Sequence, residues 1–193
     1  MCPGGPSELL SKMCRSTASR SHYENGRVTV AFEVRTELPA TPEQAFDLSL
    51  DVEAHTESMA QSGERAIRGV TQGRLGLDDE VTWKARHFGV PWTMTSKIAE
   101  WERPLRFVDE QVTGPFAEFR HEHLFAPSGG GTTMLDRVAF RAPFGVVGRL
   151  SERLLPARYL RYLIEARNAY QGSAFSGFEA DGVRLEGAVF AQV

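Results

Sequence analysis

Phe119-Arg120-His121-Glu122-His123-Leu124-Phe125 alternates rings with charges over most of its length. Successive side chains of a strand point to opposite faces, so a period of two reads as β-structure. Extended back by one residue, the row Glu118, Arg120 and Glu122 carries full charges and belongs in water. The row Phe119, His121, His123 and Phe125 then faces inward, which places two imidazoles on the buried side of a sheet.

The same parity test extends to the neighbouring runs. Val81-Thr82-Trp83-Lys84-Ala85-Arg86-His87 puts Thr82, Lys84 and Arg86 outside and Val81, Trp83, Ala85 and His87 inside. Trp92 to Ile98 turns Met94, Ser96 and Ile98 inward against Thr93, Thr95 and Lys97. In Met134 to Arg141 the charges of Arg137 and Arg141 mark the outer row, which sends Met134, Asp136, Val138 and Phe140 inward. Arg106 to Val112 places Phe107, Asp109 and Gln111 on the inner side. Short separators rich in Gly, Pro and Asp divide residues 66–140 into about six strands, and connections this short make successive strands antiparallel neighbours. Ser128-Gly129-Gly130-Gly131 is one of them, a hairpin turn that lacks the Lys and helix start of a phosphate loop.

Upstream of this meander, Val28 to Leu38 alternates as a half-buried strand with Val28, Val30, Phe32, Val34 and Leu38 on one side. Thr41 followed by Pro42, Glu43 and Gln44 predicts a capped helix, with a break near Asp51, a second helical stretch from Val52 to Met59, and a stop at Gly63. Downstream, Val147, Leu150, Leu154, Leu160, Leu163 and Ile164 form the apolar stripe of a long helix ending near Tyr170. Pro156 predicts a kink in it, and Arg149, Arg153, Arg158, Arg161 and Arg167 predict a solvated basic face. The resulting plan is a tail over 1–26, one α+β domain over 27–171, and a second tail over 172–193 that adds at most an edge strand. In that domain a seven-stranded curved antiparallel sheet surrounds a long C-terminal helix, with two short helices after the first strand.

With 193 residues the chain suits a single domain. A net charge of -3 offers no cationic field for a polyanion, so no nucleic acid is expected as partner. Cys2 and Cys14 lie too near the start to cross-link the fold, which fits a reducing cytoplasm. The opening residues lack a secretory apolar core, and no run reaches the roughly 20 apolar residues of a membrane span. The sequence thus predicts a cytoplasmic protein, monomer or homodimer, without stable membrane insertion.

First strand, short helix pair, six-strand meander and long terminal helix, in that order, resemble the START/SRPBCC superfamily with its helix-grip fold. The resemblance covers about Val28 to Tyr170. It is nearest to the bacterial polyketide cyclase/dehydrase-like branch through Val81-Thr82-Trp83-Lys84-Ala85-Arg86-His87-Phe88-Gly89, Arg106-Phe107-Val108-Asp109-Glu110-Gln111, Gly114-Pro115-Phe116 and Phe119-Arg120-His121-Glu122-His123. The resemblance implies a cavity between sheet and helix, but it fixes no activity, because the superfamily holds lipid carriers, hydrophobic-ligand binders and cyclases.

Polar groups on an apolar inner face must pair with one another or meet ligand and water, since an unpaired one costs about 1–3 kcal/mol. One reading is a self-satisfied network of His87, His121, His123 and Asp136. The other, which we take forward, is a pocket for a small hydrophobic molecule such as a lipid, isoprenoid or polyketide. Its expected lining is Trp83, His87, Met94, Ser96, Ile98, Asp109, Gln111, Phe119, His121, His123, Asp136, Val138, Phe140 and Leu154. The alternative is a cyclase/dehydrase-type enzyme in which His121 or His87 moves a proton while Asp136 orients the ring. His121-x-His123 with a carboxylate also raises a metal, but no cysteine pair, HExxH or fixed fourth ligand accompanies it, so neither metal nor cofactor is expected.

Overall fold

Residues 118–128 do form a strand, and its burial alternates as the charges require until Leu124. The computed structural model describes residues 20–24, 27–141 and 155–179. Among these, the strands are β1 (Arg20–Glu24), β2 (Arg27–Leu38), β3 (Arg65–Gly69), β4 (Glu80–His87), β5 (Val90–Glu102), β6 (Arg106–Thr113), β7 (Glu118–Ser128) and β8 (Gly131–Arg141). They make one antiparallel sheet in the spatial order β1-β2-β8-β7-β6-β5-β4-β3. Strands β2 to β8 are the seven expected. Register shifts between β3 and β4 and between β5 and β6 insert bulges, which bend the strands.

β1 is an addition to the sequence reading, which put Arg20–Glu24 in a tail. It pairs along β2 from Arg20 opposite Ala31 to Glu24 opposite Arg27. Edge pairing uses main-chain groups and demands no apolar alternation, so its sequence carries no period-two signal. The rest of the expected tails, 1–19, 25–26 and 180–193, lies outside the described residues.

The helices follow their start signals closely. α1 (Pro42–Ser49) begins with Thr41 and Gln44 in a reciprocal capping box and Pro42 in the first turn. Asp51 caps α2 (Val52–Ser58), accepting the Ala54 N–H at 2.9 Å, and a 3₁₀ turn over Ala60–Ser62 ends at Gly63 with φ 60°. α3 (Leu155–Glu179) runs beyond the predicted end at Tyr170, so residues 172–179 are helix rather than tail. Pro156 lies in the first described turn, and Val147, Leu150 and Leu154, with the expected kink, fall at or outside the limit of the described residues.

The expected basic face of α3 needs correction. Arg158 is exposed, but Arg161 is half-buried, donating to the Glu33 carbonyl at 2.8 Å with its guanidinium 5.0 Å from the centre of the Phe32 ring. Arg167 is buried and donates to the Ser49 carbonyl at 3.3 Å. Positions 160, 163, 164, 167, 168 and 171 share the stripe that meets the sheet, so Arg167 follows helical geometry inward despite its charge. Arg149 and Arg153 lie outside the described residues.

The concave side is packed in two regions. Leu38, Phe46, Ile98, Phe107, Phe125 and Met134 form one, where Phe46 meets Phe107 and Phe125 edge-on at 5.4 and 5.5 Å. Val30, Phe32, Val34, Val138, Phe140 and Ile164 form the other, beneath α3. On the convex side the charged rows pair across strands: Arg137 bridges Glu33 and Glu122, Arg106 bridges Glu122 and Glu100, and Arg120 bridges Glu100 and Glu110. Each such pair contributes only about 0–1 kcal/mol, yet burying these rows would cost far more, which fixes the facing of the strands.

The β7–β8 turn is the predicted hairpin, with Gly129 and Gly130 both at positive φ between Ser128 and Gly131. At Gly131 a Cβ would stand 2.2 Å from the Leu38 carbonyl oxygen, where β8 leaves its turn beside the end of β2. Gly131→Ala is therefore expected to lower stability by about 1–3 kcal/mol through forced backbone displacement. A urea denaturation midpoint identical to wild type would refute this close approach.

Candidate functional site

Strand register assembles the polar centre. Asp109 on β6 lies opposite His121 on β7, and His123 lies opposite Asp136 on β8. The two imidazoles are thus flanked by a carboxylate on either side, their ring centres 3.8 Å apart. Nε2 of His121 is 2.9 Å from Oδ1 of Asp136, and Nε2 of His123 is 3.1 Å from Oδ2 of Asp109. The remaining ring nitrogens complete the pattern: Nδ1 of His121 is 3.7 Å from Asp109, and Nδ1 of His123 is 2.8 Å from Asp136. That last contact is close but makes no hydrogen bond, its angle being unsuited to one. His123 also stacks on Phe107 at 4.1 Å, which ties the polar centre to the packed core.

Burial and partners set the charges. Burial alone would raise Asp136, but the hydrogen bond from His121 and the nearness of His123 outweigh it and hold the carboxyl well below its ordinary range. Asp109 is likewise pushed up by burial, and brought below its usual value by His123, His121 and, more remotely, Arg167. Burial lowers His121, the neighbouring His123 adds to this, and the two carboxylates pull the other way without prevailing. The His121–Asp136 pair accordingly rests as neutral imidazole and carboxylate.

α3 supplies a donor that the sequence reading missed. Asn168 donates to Oδ2 of Asp136 at 2.7 Å and to Oγ1 of Thr36 at 3.0 Å, while its own buried Oδ1 has no hydrogen-bond partner among the described residues. Both residues carried a readable signal: Asn168 stands four residues after Ile164 on the apolar stripe, and Thr36 sits in the inner row between Val34 and Leu38.

His87 does not join this cluster. It lies on β4, three strands from His121, where Nδ1 is 2.8 Å from the Tyr159 hydroxyl of α3, so Asp136 orients His121 and not His87. Burial lowers its pKa, with Glu64 opposing. Glu64 itself is pushed up by burial but held below its ordinary value by His55, 3.2 Å away, whose ring lies 4.3 Å from that of Trp83.

The other expected lining residues divide by packing. Ile98, Val138 and Phe140 belong to the closed core, and Gln111 is occupied by the Gly114-Pro115-Phe116 turn, donating to the Phe116 carbonyl at 2.8 Å and accepting its N–H at 3.2 Å. The exposed surface of these four is therefore small or already occupied by neighbouring groups. Trp83 and Ser96 are buried and satisfy each other, Nε1 to Oγ, at 3.2 Å. Met94, Asp109, Phe119 and His87 are half-buried, and Leu154 lies outside the described residues.

These half-buried positions lie along a run of rings on the concave side. From Tyr159 it passes to His87 at 5.5 Å, Trp92 at 5.6 Å, Phe116 at 6.2 Å, Phe119 at 5.4 Å and His121 at 6.4 Å. A separate groove of about 380 Å³ between β2 and α3 has charged banks, including Glu33, Arg161 and Glu165, and is distinct from this aromatic end.

The model of the family described as "Polyketide cyclase / dehydrase and lipid transport" matches residues 29–169, and the chain belongs to that family. No curated protein matches it significantly by sequence. Among solved structures it is similar to TTHA0849 from Thermus thermophilus, with a TM-score of 0.60 and 18% identity over 75% of this chain and 98% of that one. Ginseng major latex-like protein 151 from Panax ginseng aligns with a TM-score of 0.58 and 11% identity, over 76% of this chain and 97% of that one. Ms6760 from Mycobacterium smegmatis aligns at 0.57 and 11%, covering 83% and 98%. Likeness at these identities establishes the helix-grip fold. Among the described residues, no helix is long and apolar enough to cross a membrane.

Two outcomes are expected from this site. Asn168→Ala removes a donor from a buried carboxylate and should lower stability by about 1–3 kcal/mol in thermal or urea unfolding; a neutral effect would show that Asp136 is satisfied without α3. His87, with its pKa depressed on folding, contributes stability above its unfolded value near 6.5, and this is lost as pH falls through the folded value. His87→Gln should therefore flatten the fall in urea midpoint between about pH 7 and 5, and a slope matching wild type would remove the assignment.

Proposed function

We propose that this member of the polyketide cyclase/dehydrase and lipid transport family binds a small, largely apolar molecule in the hollow between β4–β7 and α3. The observation that carries this reading is the contrast between the two ends of the concave face. Phe46, Phe107, Phe125 and Met134 are packed shut, whereas Trp92, Met94, Phe116 and Phe119 remain half-buried among the described residues. Apolar area left in contact with water forgoes about 25 cal/mol per Å². A guest that covered these rings would recover that energy on binding.

Chemical features of the guest follow from the lining. A chain of ring faces and edges suits a flat or polyunsaturated body, such as a polyketide, isoprenoid or lipid tail. His87 with Tyr159 at one side, and Asp109 with His121 at the inner side, offer polar groups for one or two oxygens. The fixed tautomer of His121 gives a second reading, acid–base chemistry on such a guest, because an N–H committed to Asp136 leaves Nδ1 as the free lone pair.

The experiment is a titration of the purified full chain with an environment-sensitive apolar fluorophore, followed by displacement with a fatty acid or an aromatic polyketide. Saturable one-to-one binding is expected. Met94→Glu, which sets a charge among the rings, should weaken it about tenfold or more. A wild-type protein that takes up no apolar probe would end the reading.

A further inference from the structure

The geometry points to a divalent transition-metal site formed by Asp109, His121 and His123, with Asp136 as the carboxylate that orients both imidazoles from behind. The proposal rests on the arrangement of the rings and requires no apolar guest, although Asp109 and His121 serve both readings.

A neutral imidazole has one N–H and one lone pair. Here all four ring nitrogens face carboxylate oxygens, at 2.9 and 3.7 Å for His121 and at 2.8 and 3.1 Å for His123. With one N–H on each ring, two of the four contacts would set a lone pair against a negative oxygen. If both N–H groups turn to Asp136, which for His123 takes a rotation of the ring that brings Nδ1 into line with the carboxylate 2.8 Å away, both lone pairs converge on Asp109, and a cation placed there makes every contact attractive.

One donor atom from each of Asp109, His121 and His123 lies within 4.8 Å of the others. Around a zinc ion with bonds of about 2.0–2.1 Å, neighbouring ligand atoms stand roughly 3.3 Å apart. The contacts of Asp109 with His123 at 3.1 Å and with His121 at 3.7 Å bracket that value. Two imidazoles and one carboxylate form a set used for zinc and for non-haem iron, with the remaining positions left for water or a ligand oxygen.

Metal-bound histidines commonly donate their other ring N–H to a carboxylate, and that carboxylate is hydrogen-bonded in turn. Asp136 is within 2.9 Å of the second nitrogen of each ring and is held by Asn168 at 2.7 Å. Asp109 has a fifth of its side chain exposed (19%), against 6%, 1% and 0% for His121, His123 and Asp136, so an ion has a way in from the side of its carboxylate ligand.

The test uses the full chain, stripped with a chelator and dialysed, then titrated with Co²⁺ and with Zn²⁺ by calorimetry and visible absorption. One ion per chain is expected, with the strengthened Co²⁺ bands of four- or five-coordination. His123→Gln and Asp109→Asn should abolish stoichiometric binding, and Asp136→Asn should weaken it about 10–100-fold. A Cys2→Ser, Cys14→Ser double variant should bind like wild type. Because a buried replacement can unfold the chain, thermal melts accompany each titration: Zn²⁺ should raise the melting temperature of wild type and leave that of folded His123→Gln unchanged. Absence of stoichiometric binding in wild type, undiminished affinity in His123→Gln, or ¹⁵N spectra showing both His123 ring nitrogens protonated in the presence of Zn²⁺ would each overturn the proposal. Apolar-probe binding by the stripped protein separates this outcome from the fate of the hollow.

Discussion

A carboxylate with no exposure to water has to be surrounded by donors, and Asp136 draws those donors from the elements around it. His121 comes from β7, Asn168 from α3, and Asn168 carries the connection on to Thr36 of β2. The long helix is thus positioned by a polar clamp as well as by Ile164 and Leu160 packing on Val34, Phe32 and their neighbours. Apolar contact alone would tolerate small slides of a helix over a sheet; a hydrogen bond to a buried anion does not, because its loss leaves a desolvated charge.

The same polar layer divides the interior. On one side lies the closed cluster around Phe46, Phe107 and Phe125, joined to the layer through the stack of Phe107 on His123. On the other side the aromatic run from Phe119 to Tyr159 remains half-buried. A polar layer tied to three strands and a helix lies beneath an incompletely covered apolar wall, and the proposed binding of a small molecule draws on that arrangement. The Trp83–Ser96 pair and the His55–Glu64 pair extend this pre-ordering towards β4 and the helix pair.

Charge was a dependable guide on the sheet and an unreliable one on the helix. Arg106, Arg120 and Arg137 lie on the convex face and find glutamates on neighbouring strands, as alternation demands. Arg161 and Arg167 were read as solvated, yet one spans to the Glu33 carbonyl and the other is buried against the Ser49 carbonyl. A long side chain can cross an apolar surface with its stem and satisfy its guanidinium on main-chain oxygens beyond, so charge does not set which way a helical arginine faces.

Alternation is a property of the local backbone, and so the residues two apart in each ribbon could be assigned to a common face from sequence: Phe119 with His121 and His123, Asp136 with Val138, Phe107 with Asp109. Caps at Thr41 and Asp51 were legible for the same reason, each depending on atoms three residues away. Tertiary structure alone decided which of these residues meet. That Asp109 stands opposite His121 and His123 opposite Asp136 depends on the register between strands, and that Asn168 closes the cluster depends on the rotation of a helix distant in sequence. Register and rotation are set by the summed packing of the whole core, a non-local quantity to which no single stretch of sequence bears witness.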